Sequence, residues 1–269
     1  MGENSETSTC RRDFLKAGVL ASASALALVA APRPLRAKPA RTATNRWAMV
    51  IDLRRCIGCL ACVVACKSEY NDPLGYWRTA VQLKDDGEYP EARRHITPVL
   101  CNHCEKPPCV EVCPVDPVER TFEDPIKGTM TFEGKATYKR PDGTVLVDEN
   151  ICVGCGMCIE ACPYGARFFH PMRQAGGAPE NKTIGKCTFC SHRIAHGVVP
   201  SCVNTCQGKA RIFGDMNDPG SEVSRLLKKH RTKVLLPGKG TGPNNYYIGL
   251  EEGVYAEYGE EGRFHNEIK

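Results

Sequence analysis

The sequence predicts an α+β fold in which one structural unit is repeated, and three observations support this prediction. Two segments, MVIDLRRCIGCLACVVACKSEY (Met49–Tyr70) and VLVDENICVGCGMCIEACPYGA (Val145–Ala166), share one order: an apolar strand that contains an Asp, a cysteine-rich loop and a helix. Of the 269 residues, 17 are Cys and only 7% are aromatic. A chain of this length can bury an apolar core without disulfides. The cysteines therefore indicate a fold organised around something that cysteine binds.

Strands are expected to close the units of the repeat. Arg167–Phe169 follows the second repeat, and Ala210–Phe213 follows the last cysteines of the chain. Pro141–Gly143 has the composition of a hairpin turn, and it joins Ala136–Arg140 to Thr144–Val147.

The remaining segments are expected to be an insertion, a loop and a C-terminal extension. Val118–Gly134 is expected to be a surface insertion, and His170–Thr183, which contains Gly and Pro, is expected to be a loop. Asp218-Pro219 is expected to begin a short helix, with an acidic N-cap and Pro at the first position. Lys233–Leu236 and Tyr246–Leu250 are expected to be strands. The last nineteen residues suit a disordered tail and a tail that wraps a partner equally well.

The N-terminus has the pattern of an export signal. RRDFLK (Arg11–Lys16) resembles the twin-arginine motif. The apolar run Ala17–Ala31 has 15 residues, which is fewer than the roughly 20 that a membrane span needs. A cleavage site fits at Leu35–Ala37, so residues 1–37 are expected to be a signal peptide; the alternative is an uncleaved anchor with the same pattern. We therefore expect the mature chain on the periplasmic (outer) face of the cytoplasmic membrane.

The charge balance argues against one class of partner. The formal net charge is +5, and without residues 1–37 the chain keeps 31 Lys and Arg against 28 Asp and Glu, which is +3. No long basic run is interleaved with aromatic residues, so no nucleic-acid partner is expected.

All cysteines other than Cys10 fall into four groups of four. Groups one and three have the C-x2-C-x2-C-x3-C spacing of bacterial ferredoxins. Group two widens one gap to four residues and group four widens one to eleven, but both begin with C-x2-C and end with C-x3-C. In order, the groups are Cys56, Cys59, Cys62 and Cys66; Cys101, Cys104, Cys109 and Cys113; Cys152, Cys155, Cys158 and Cys162; Cys187, Cys190, Cys202 and Cys206.

This spacing suits [4Fe–4S] clusters. A tight loop with Gly58, or with Gly154 and Gly156, lets three thiolates surround one cluster while backbone amides point at the sulfurs. The last Cys of each group lies one helical turn further on and points toward a second cluster. Sixteen ligands at four per cluster give four clusters. Each cluster carries a charge of about −2 together with its thiolates, so four clusters change the net charge of the mature chain from +3 to about −5.

Three alternatives fit the cysteines less well. A structural zinc ion takes four ligands in two pairs, which four quartets with x3 endings do not follow. A disulfide scaffold suits an exported chain but does not require triplets at x2 spacing. C-type haem needs C-x2-C-H, and no C-x2-C pair here is followed by His. His103, inside group two, is expected to be a neighbouring polar residue and not a ligand.

In a two-cluster module of the ferredoxin-like (βαββαβ) type, the last Cys of one group binds the cluster of the other group. Groups two and three are joined by the predicted hairpin and carry the two Cys-Pro endings, so we pair them in an inner module, residues 98–181. Groups one and four then form an outer module, residues 46–97 plus 182–215, and residues 216–269 are a C-terminal extension and tail. The expected ligand sets are Cys56, Cys59, Cys62 and Cys206; Cys66, Cys187, Cys190 and Cys202; Cys101, Cys104, Cys109 and Cys162; Cys113, Cys152, Cys155 and Cys158.

At this point the motifs resemble a known family. CNHCEKPPCVEVCPV, CIEACPYGARF, KCTFC and CVNTCQGKARIFGDMNDPGSEVSRLL are similar to the four-cluster electron-transfer (beta) subunits of dimethyl sulfoxide reductase-type complexes. Among these, tetrathionate and polysulfide reductase beta subunits and the DsrO subunit of the DsrMKJOP complex are the most similar. The resemblance runs from about Arg46 to Leu250, and the Val118–Gly134 insertion departs from it. It implies two ferredoxin-like modules, four [4Fe–4S] clusters in a line and no active site.

The resemblance implies an electron-transfer subunit, not an enzyme. The residues agree, because no Ser-His-Asp set or carboxylate pair stands out and every expected cluster has four Cys ligands. The implied partners are a membrane quinone-reactive subunit of the NrfD type and a molybdopterin catalytic subunit of a sulfur-compound oxidoreductase. One alternative is a DsrO-like subunit that exchanges electrons with cytochrome and membrane subunits without molybdenum. Another alternative, from a different class, is an exported zinc or disulfide scaffold.

Overall fold

The computed structural model describes residues 44–251. Its central sheet consists of β1 (Trp47–Asp52), β10 (Arg211–Asp215) and β11 (Asn245–Ile248), in the order β10-β1-β11. Strand β1 is antiparallel to β10 and parallel to β11. Its apolar run, from Ala48 to Ile51, is fully buried. A strand that is covered on both faces is expected to have such an unbroken apolar run.

Four antiparallel hairpins supply the other strands. They are β2 (Thr79–Asp86) with β3 (Arg93–Leu100), β4 (Val118–Asp124) with β5 (Gly128–Gly134), β6 (Thr137–Lys139) with β7 (Val145–Val147), and β8 (Arg167–Ala175) with β9 (Ala178–Lys186). The turn predicted at Pro141–Gly143 is confirmed: the Arg140 amide donates to the Thr144 carbonyl at 2.8 Å between β6 and β7. The segment expected to be an insertion is the β4–β5 hairpin.

The helices are short, and most of them carry cysteines. Within residues 44–251 the longest helix, α1, has ten residues, and none there is long and apolar enough to cross a bilayer. The helices are α1 (Ala61–Tyr70), α2 (Pro108–Glu111), α3 (Met157–Glu160), α4 (Ser191–Ile194), α5 (Ser201–Asn204) and α6 (Glu222–Lys229).

The cysteines form part of the core. One cluster of buried residues combines Met49 and Ile51 of β1 with cysteines from all four groups, and a second cluster surrounds Cys109, Cys113 and Cys152. A third, smaller cluster packs Val223 of α6 against the other face of β1. Thiols therefore occupy positions that apolar side chains occupy in other domains of this size. Whatever the thiols bind is expected to hold the fold together.

One expected loop is wrong. His170–Thr183 lies in the β8–β9 hairpin and not in a loop. Its glycines serve close packing: a Cβ on Gly176 would lie 2.3 Å from the Asn150 carbonyl oxygen. The Gly-Gly pair therefore marks a tight turn against a neighbouring segment.

Two details of the C-terminal region also differ from the expectation. Helix α6 begins at Glu222, and its N-cap is Ser221, whose hydroxyl accepts from the Ser224 amide at 3.0 Å. The Asp218 carboxylate instead accepts from the Gly220 amide, which forms a turn before the helix. The expected strand at Lys233–Leu236 is reduced to one bridge, between Lys233 and Tyr247. The expected strand near the end of the chain is confirmed as β11. The predicted signal peptide and all but the first residue of the charged tail lie outside the described residues.

Candidate functional site

The structure brings cysteines of different groups together in four sets, which we call sites A to D. Site A is Cys56, Cys59, Cys62 and Cys206; site B is Cys66, Cys187, Cys190 and Cys202; site C is Cys101, Cys104, Cys109 and Cys162; site D is Cys113, Cys152, Cys155 and Cys158.

Three of these sets line cavities of similar size. The cavities at sites A, C and D measure about 20, 20 and 10 Å³. In each of them, three cysteines come from one group and the fourth comes from the end of another group. This is the crossed arrangement expected from two-cluster ferredoxins.

The four cysteines of site B lie close enough together to interact electrostatically. The pKa of Cys66 is raised, first by burial and then by Cys187, Cys202 and Cys190. Cys66 ends the first cysteine group, whereas the other three belong to the fourth group. The structure thus brings every expected ligand of the four sets next to the other members of its set.

Left-handed backbone shapes the cysteine loops. Gly58, Gly154 and Gly156 have φ values of 68°, 64° and 79°. In the second repeat the glycines also allow close packing, because a Cβ on Gly154 would lie 2.6 Å from the Lys182 carbonyl oxygen of β9. The Gly154 amide donates to the Cys152 sulfur at 3.4 Å, which shows how such loops direct N–H groups at thiolates.

The donor sets fit [4Fe–4S] clusters. The residues that line the cavities at sites A, C and D are cysteines, apolar or small residues, Asn102 and arginines, with no carboxylate among them. Burial is the main factor that raises the pKa of Cys109 and of Cys202 to about 11. A thiol that binds iron is deprotonated, so the bound group must supply the compensating positive charge. Every cysteine within residues 44–251 is a free thiol, and no group of His, Cys, Asp and Glu in that range is placed to hold a single metal ion.

Buried cations lie next to the cysteines. The Arg167 guanidinium donates from Nη2 to the Cys109 sulfur at 2.9 Å, and that of Arg211 donates from Nη1 to the Cys202 sulfur at 3.7 Å. Lys186 donates to the carbonyls of Val145 and Cys187. From the sequence, Arg167 and Arg211 were expected only to be strand residues. A signal was present, because each Arg follows the last Cys of its group by five residues.

Sites B and C meet at an aromatic stack. The rings of His103 and Phe189 are 3.7 Å apart between centroids, and both are fully buried. His103 lies between the first two cysteines of group two, and Phe189 lies between the first two of group four. The Nδ1 atom of His103 accepts from the Val145 amide at 3.0 Å. His103 is therefore a structural neighbour of both cysteine loops.

Surface exposure distinguishes the outer sites from the inner ones. Cys59 of site A and Cys155 of site D are exposed, whereas every cysteine of sites B and C is buried. Apolar side chains are exposed beside both outer sites, Ile57 and Leu60 at site A and Met157 at site D. A further cleft lies elsewhere, between the β4–β5 hairpin and Trp47, and no cysteine lines it.

Family models match both halves of the repeat. A model described as "4Fe-4S dicluster domain" matches residues 92–216, and one described as "4Fe-4S binding domain" matches residues 47–68. These ranges contain all sixteen cysteines of sites A to D. The chain therefore holds 4Fe–4S clusters in ferredoxin-like domains of mixed helix and sheet.

Curated relatives match more than three quarters of the chain. The B subunit of tetrathionate reductase from Salmonella typhimurium is 42% identical over 93% of this chain and 92% of its own length. The corresponding B subunit from Archaeoglobus fulgidus is 40% identical over 77% of this chain and 83% of its own length. An Hdr-like menaquinol oxidoreductase iron-sulfur subunit 1 of the same organism is 36% identical over 77% of this chain and 84% of its own length. The chain belongs to the family of iron–sulfur electron-transfer (beta) subunits of dimethyl sulfoxide reductase-type complexes.

Proposed function

We propose that this protein relays electrons through four [4Fe–4S] clusters, one at each of sites A to D, as the electron-transfer subunit of a reductase complex. The observation that carries the proposal is the set of four cysteine quartets, each completed by a cysteine of another group. In this assignment each cluster is ligated by the four cysteines that define its site. When bound, such clusters take up and release single electrons, with a potential that depends on charge, hydrogen bonds to sulfur and exposure.

The contacts support the linear order A–B–C–D. Arg211 lines the cavity of site A and donates to Cys202 of site B. Cys187 of site B interacts electrostatically with Cys101 of site C. Arg167 lines the cavity of site C, and its partner Thr137 lines that of site D. With Cys59 and Cys155 exposed, sites A and D are the natural points for electrons to enter and leave.

The order also supports two ferredoxin-like βαββαβ modules. Sites A and B would belong to the outer module, residues 46–97 plus 182–215, in which β1 pairs with the closing strand β10. Sites C and D would belong to the inner module, residues 98–181. The described part of the C-terminal extension, residues 216–251, would extend the outer module, since β11 adds to β1 and α6 packs on the same sheet.

The chain's own residues provide binding and electrostatics, and no active site is proposed. Every site has four cysteines, so no iron would be left open for substrate. Burial keeps water from sites B and C, and Arg167 and Arg211 place positive charge beside their sulfurs.

The proposed partners follow from the family resemblance together with a relative that aligns with 93% of the chain. Because the tetrathionate reductase protein of Salmonella typhimurium aligns with 93% of this chain, we infer a molybdopterin catalytic subunit for a sulfur compound and a membrane quinone-reactive subunit of the NrfD type. The twin-arginine motif supports assembly on the periplasmic face of the cytoplasmic membrane. The second candidate is a DsrO-like subunit with cytochrome and membrane partners, which the Hdr-like menaquinol oxidoreductase relative favours.

Metal analysis tests these proposals, with iron counted in the isolated subunit and molybdenum and haem measured in the purified native complex. The subunit should contain about sixteen iron atoms, at four per cluster. Copurified molybdenum supports the first set of partners, and copurified haem without molybdenum supports the second. An iron content near twelve contradicts the four-cluster assignment, and zinc in place of iron contradicts the electron relay and supports a scaffold.

A further inference from the structure

Four Lys or Arg side chains within residues 44–251 are more than nine-tenths buried: Arg78, Arg167, Lys186 and Arg211. Arg78 has a carboxylate partner, because its Nε lies 2.7 Å from an oxygen of the buried Asp72. No carboxylate in the described part of the chain forms an ion pair with any of the other three. A buried charge without a counter-charge is strongly unfavourable. The three cations therefore require another source of negative charge.

Arg167 lies between sites C and D. It lines the cavity of site C and donates to the Cys109 sulfur there, while its other amino group donates to the Thr137 hydroxyl at 3.3 Å. Thr137 lines the cavity of site D. A guanidinium is effectively always protonated in a protein, and Cys109 of site C and Cys158 of site D interact with that of Arg167 electrostatically. The nearest negative groups are thus thiolates of both sites.

Arg211 occupies the corresponding place between sites A and B. It lines the cavity of site A and donates to Cys202 of site B at 3.7 Å. Its second amino group donates to the Thr79 hydroxyl at 2.9 Å, as Arg167 donates to Thr137. Both arginines are the first residue of the strand that follows a cysteine group. The repeat has therefore placed the same cation at the same point in each module.

Lys186 lies between sites B and C. Its ammonium group donates to the carbonyl of Cys187, a site B cysteine, and to that of Val145, which lines the cavity of site C. Only 1% of its surface is exposed. Each of the three gaps in the order A–B–C–D thus contains one buried cation.

We propose that Arg211, Lys186 and Arg167 are the counter-charges of the relay, and that each raises the midpoint potentials of the two clusters that flank it. The inference rests on the proposed function, since it requires clusters at sites A to D. Reduction adds negative charge to a cluster, and a fixed cation in a poorly polarisable interior stabilises the reduced form more than the oxidised form. Because each cation lies between two sites, it stabilises an electron on either side. It also reduces the repulsion between two reduced neighbours.

A redox titration monitored by electron paramagnetic resonance tests the proposal on the full-length holoprotein. Arg167→Gln should lower two of the four midpoint potentials, Arg211→Gln should lower the other two, and Lys186→Gln should lower one from each pair. This overlap is expected only if the cations alternate with the clusters. The variants Arg167→Lys and Arg211→Lys should stay closer to wild type, because they retain the charge. Arg94→Gln, which removes an exposed charge, is the control and should shift none of the four.

The outcomes separate this inference from the proposed function. Wild-type protein without iron overturns the proposed function. If the wild-type protein contains its clusters but the Gln variants leave the cluster potentials unchanged or raise them, only the counter-charge assignment is wrong. The same conclusion follows if the Gln variants shift all four potentials equally and Arg94→Gln gives the same shift. If the Gln variants lose iron, the assignment predicts that Arg167→Lys retains it. Equal loss of iron in Arg167→Lys and Arg167→Gln contradicts the assignment.

Discussion

Leu60 has a left-handed backbone conformation that most residues avoid. Its φ is 60°, and the corresponding residue in the other repeat, Gly156, has a φ of 79°. The cysteine loop requires this conformation in both repeats, but only one repeat uses the residue that adopts it without steric cost. The Leu60 side chain is 46% exposed, so it gains little from burial in return.

We therefore expect Leu60→Gly to stabilise the holoprotein by about 1 kcal/mol, the steric cost of a left-handed non-glycine residue. The measurement is the urea concentration at which the visible cluster absorbance is half lost. Gly156→Leu is the matched control and should have the opposite effect, since a Cβ there would lie 2.7 Å from the Phe169 ring. A lower urea midpoint for Leu60→Gly would contradict this explanation of the loop.

The buried cations show what sequence reasoning at the residue scale can and cannot find. The spacing predicts all sixteen cysteines of sites A to D as cluster ligands, because few kinds of site use a C-x2-C loop with a C-x3-C ending. The shared offset of Arg167 and Arg211 from the preceding Cys was visible in the sequence. Their role was not, because charge on a strand usually faces solvent, and only the structure shows both guanidinium groups to be buried.

At the scale of elements, helix α6 supports the central sheet from outside the cysteine sites. Val223 is fully buried and packs against β1 and β10. The N-terminus of the helix depends on Ser221, whose hydroxyl accepts from the Ser224 amide. A cap of this kind satisfies one backbone amide that has no partner in the helix.

Ser221→Ala should destabilise the protein by about 1 kcal/mol, because the amide loses its acceptor. Ser221→Thr keeps the acceptor and also the hydroxyl that donates to the Asp215 carbonyl, so it should stay near wild type. The urea midpoint for loss of cluster absorbance reports both, and cluster potentials should not change in either variant. An unchanged midpoint in Ser221→Ala would assign the cap to another residue.

The β4–β5 hairpin is attached to the rest of the chain through Arg120. This side chain forms an ion pair with Asp148 at 2.7 Å and lies over the Tyr138 ring at 4.1 Å. The hairpin contains no cysteine and lines none of the cavities at sites A, C and D. Its strands instead form one wall of the cleft beside Trp47.

Replacing residues 119–133 by Gly-Gly should therefore leave the iron content unchanged, since Val118 and Gly134 are already paired across the hairpin. Iron and acid-labile sulfide analysis is the measurement, with Arg120→Ala as the control for the lost ion pair. A loss of about four iron atoms per chain, one cluster's content, would mean that the hairpin supports site D.

Helices and strands could be predicted where the local sequence pattern matches the way the element packs in the fold. β1 and β7 are apolar runs before cysteine loops, and both are strands. The β8–β9 hairpin was missed because Gly and Pro dominate its turn region, although the Gly-Gly pair is there for close packing. The β2–β3 hairpin was not expected. The start of α6 was misplaced because Asp218-Pro219 and Ser221 are both suitable cap positions by composition.

At the scale of the molecule, the proposed relay depends on exchange of cysteines between groups. The first and last cysteine groups share two sites, and the two middle groups share the other two. This exchange connects segments that are far apart in sequence, as Cys56 and Cys206 of site A show. Such an arrangement ties the fold to cluster assembly, since removal of iron would remove four long-range links.

The most direct test of this exchange compares three cysteine variants, Cys113→Ser, Cys155→Ser and Cys104→Ser, by electron paramagnetic resonance of the reduced holoprotein. Crossed ligation predicts that Cys113→Ser and Cys155→Ser perturb the same cluster signal, that of site D. The signal of site C, which Cys104→Ser perturbs, should remain intact in both. If Cys113→Ser instead perturbs the signal that Cys104→Ser perturbs, ligation lies within each group and the crossed arrangement is wrong.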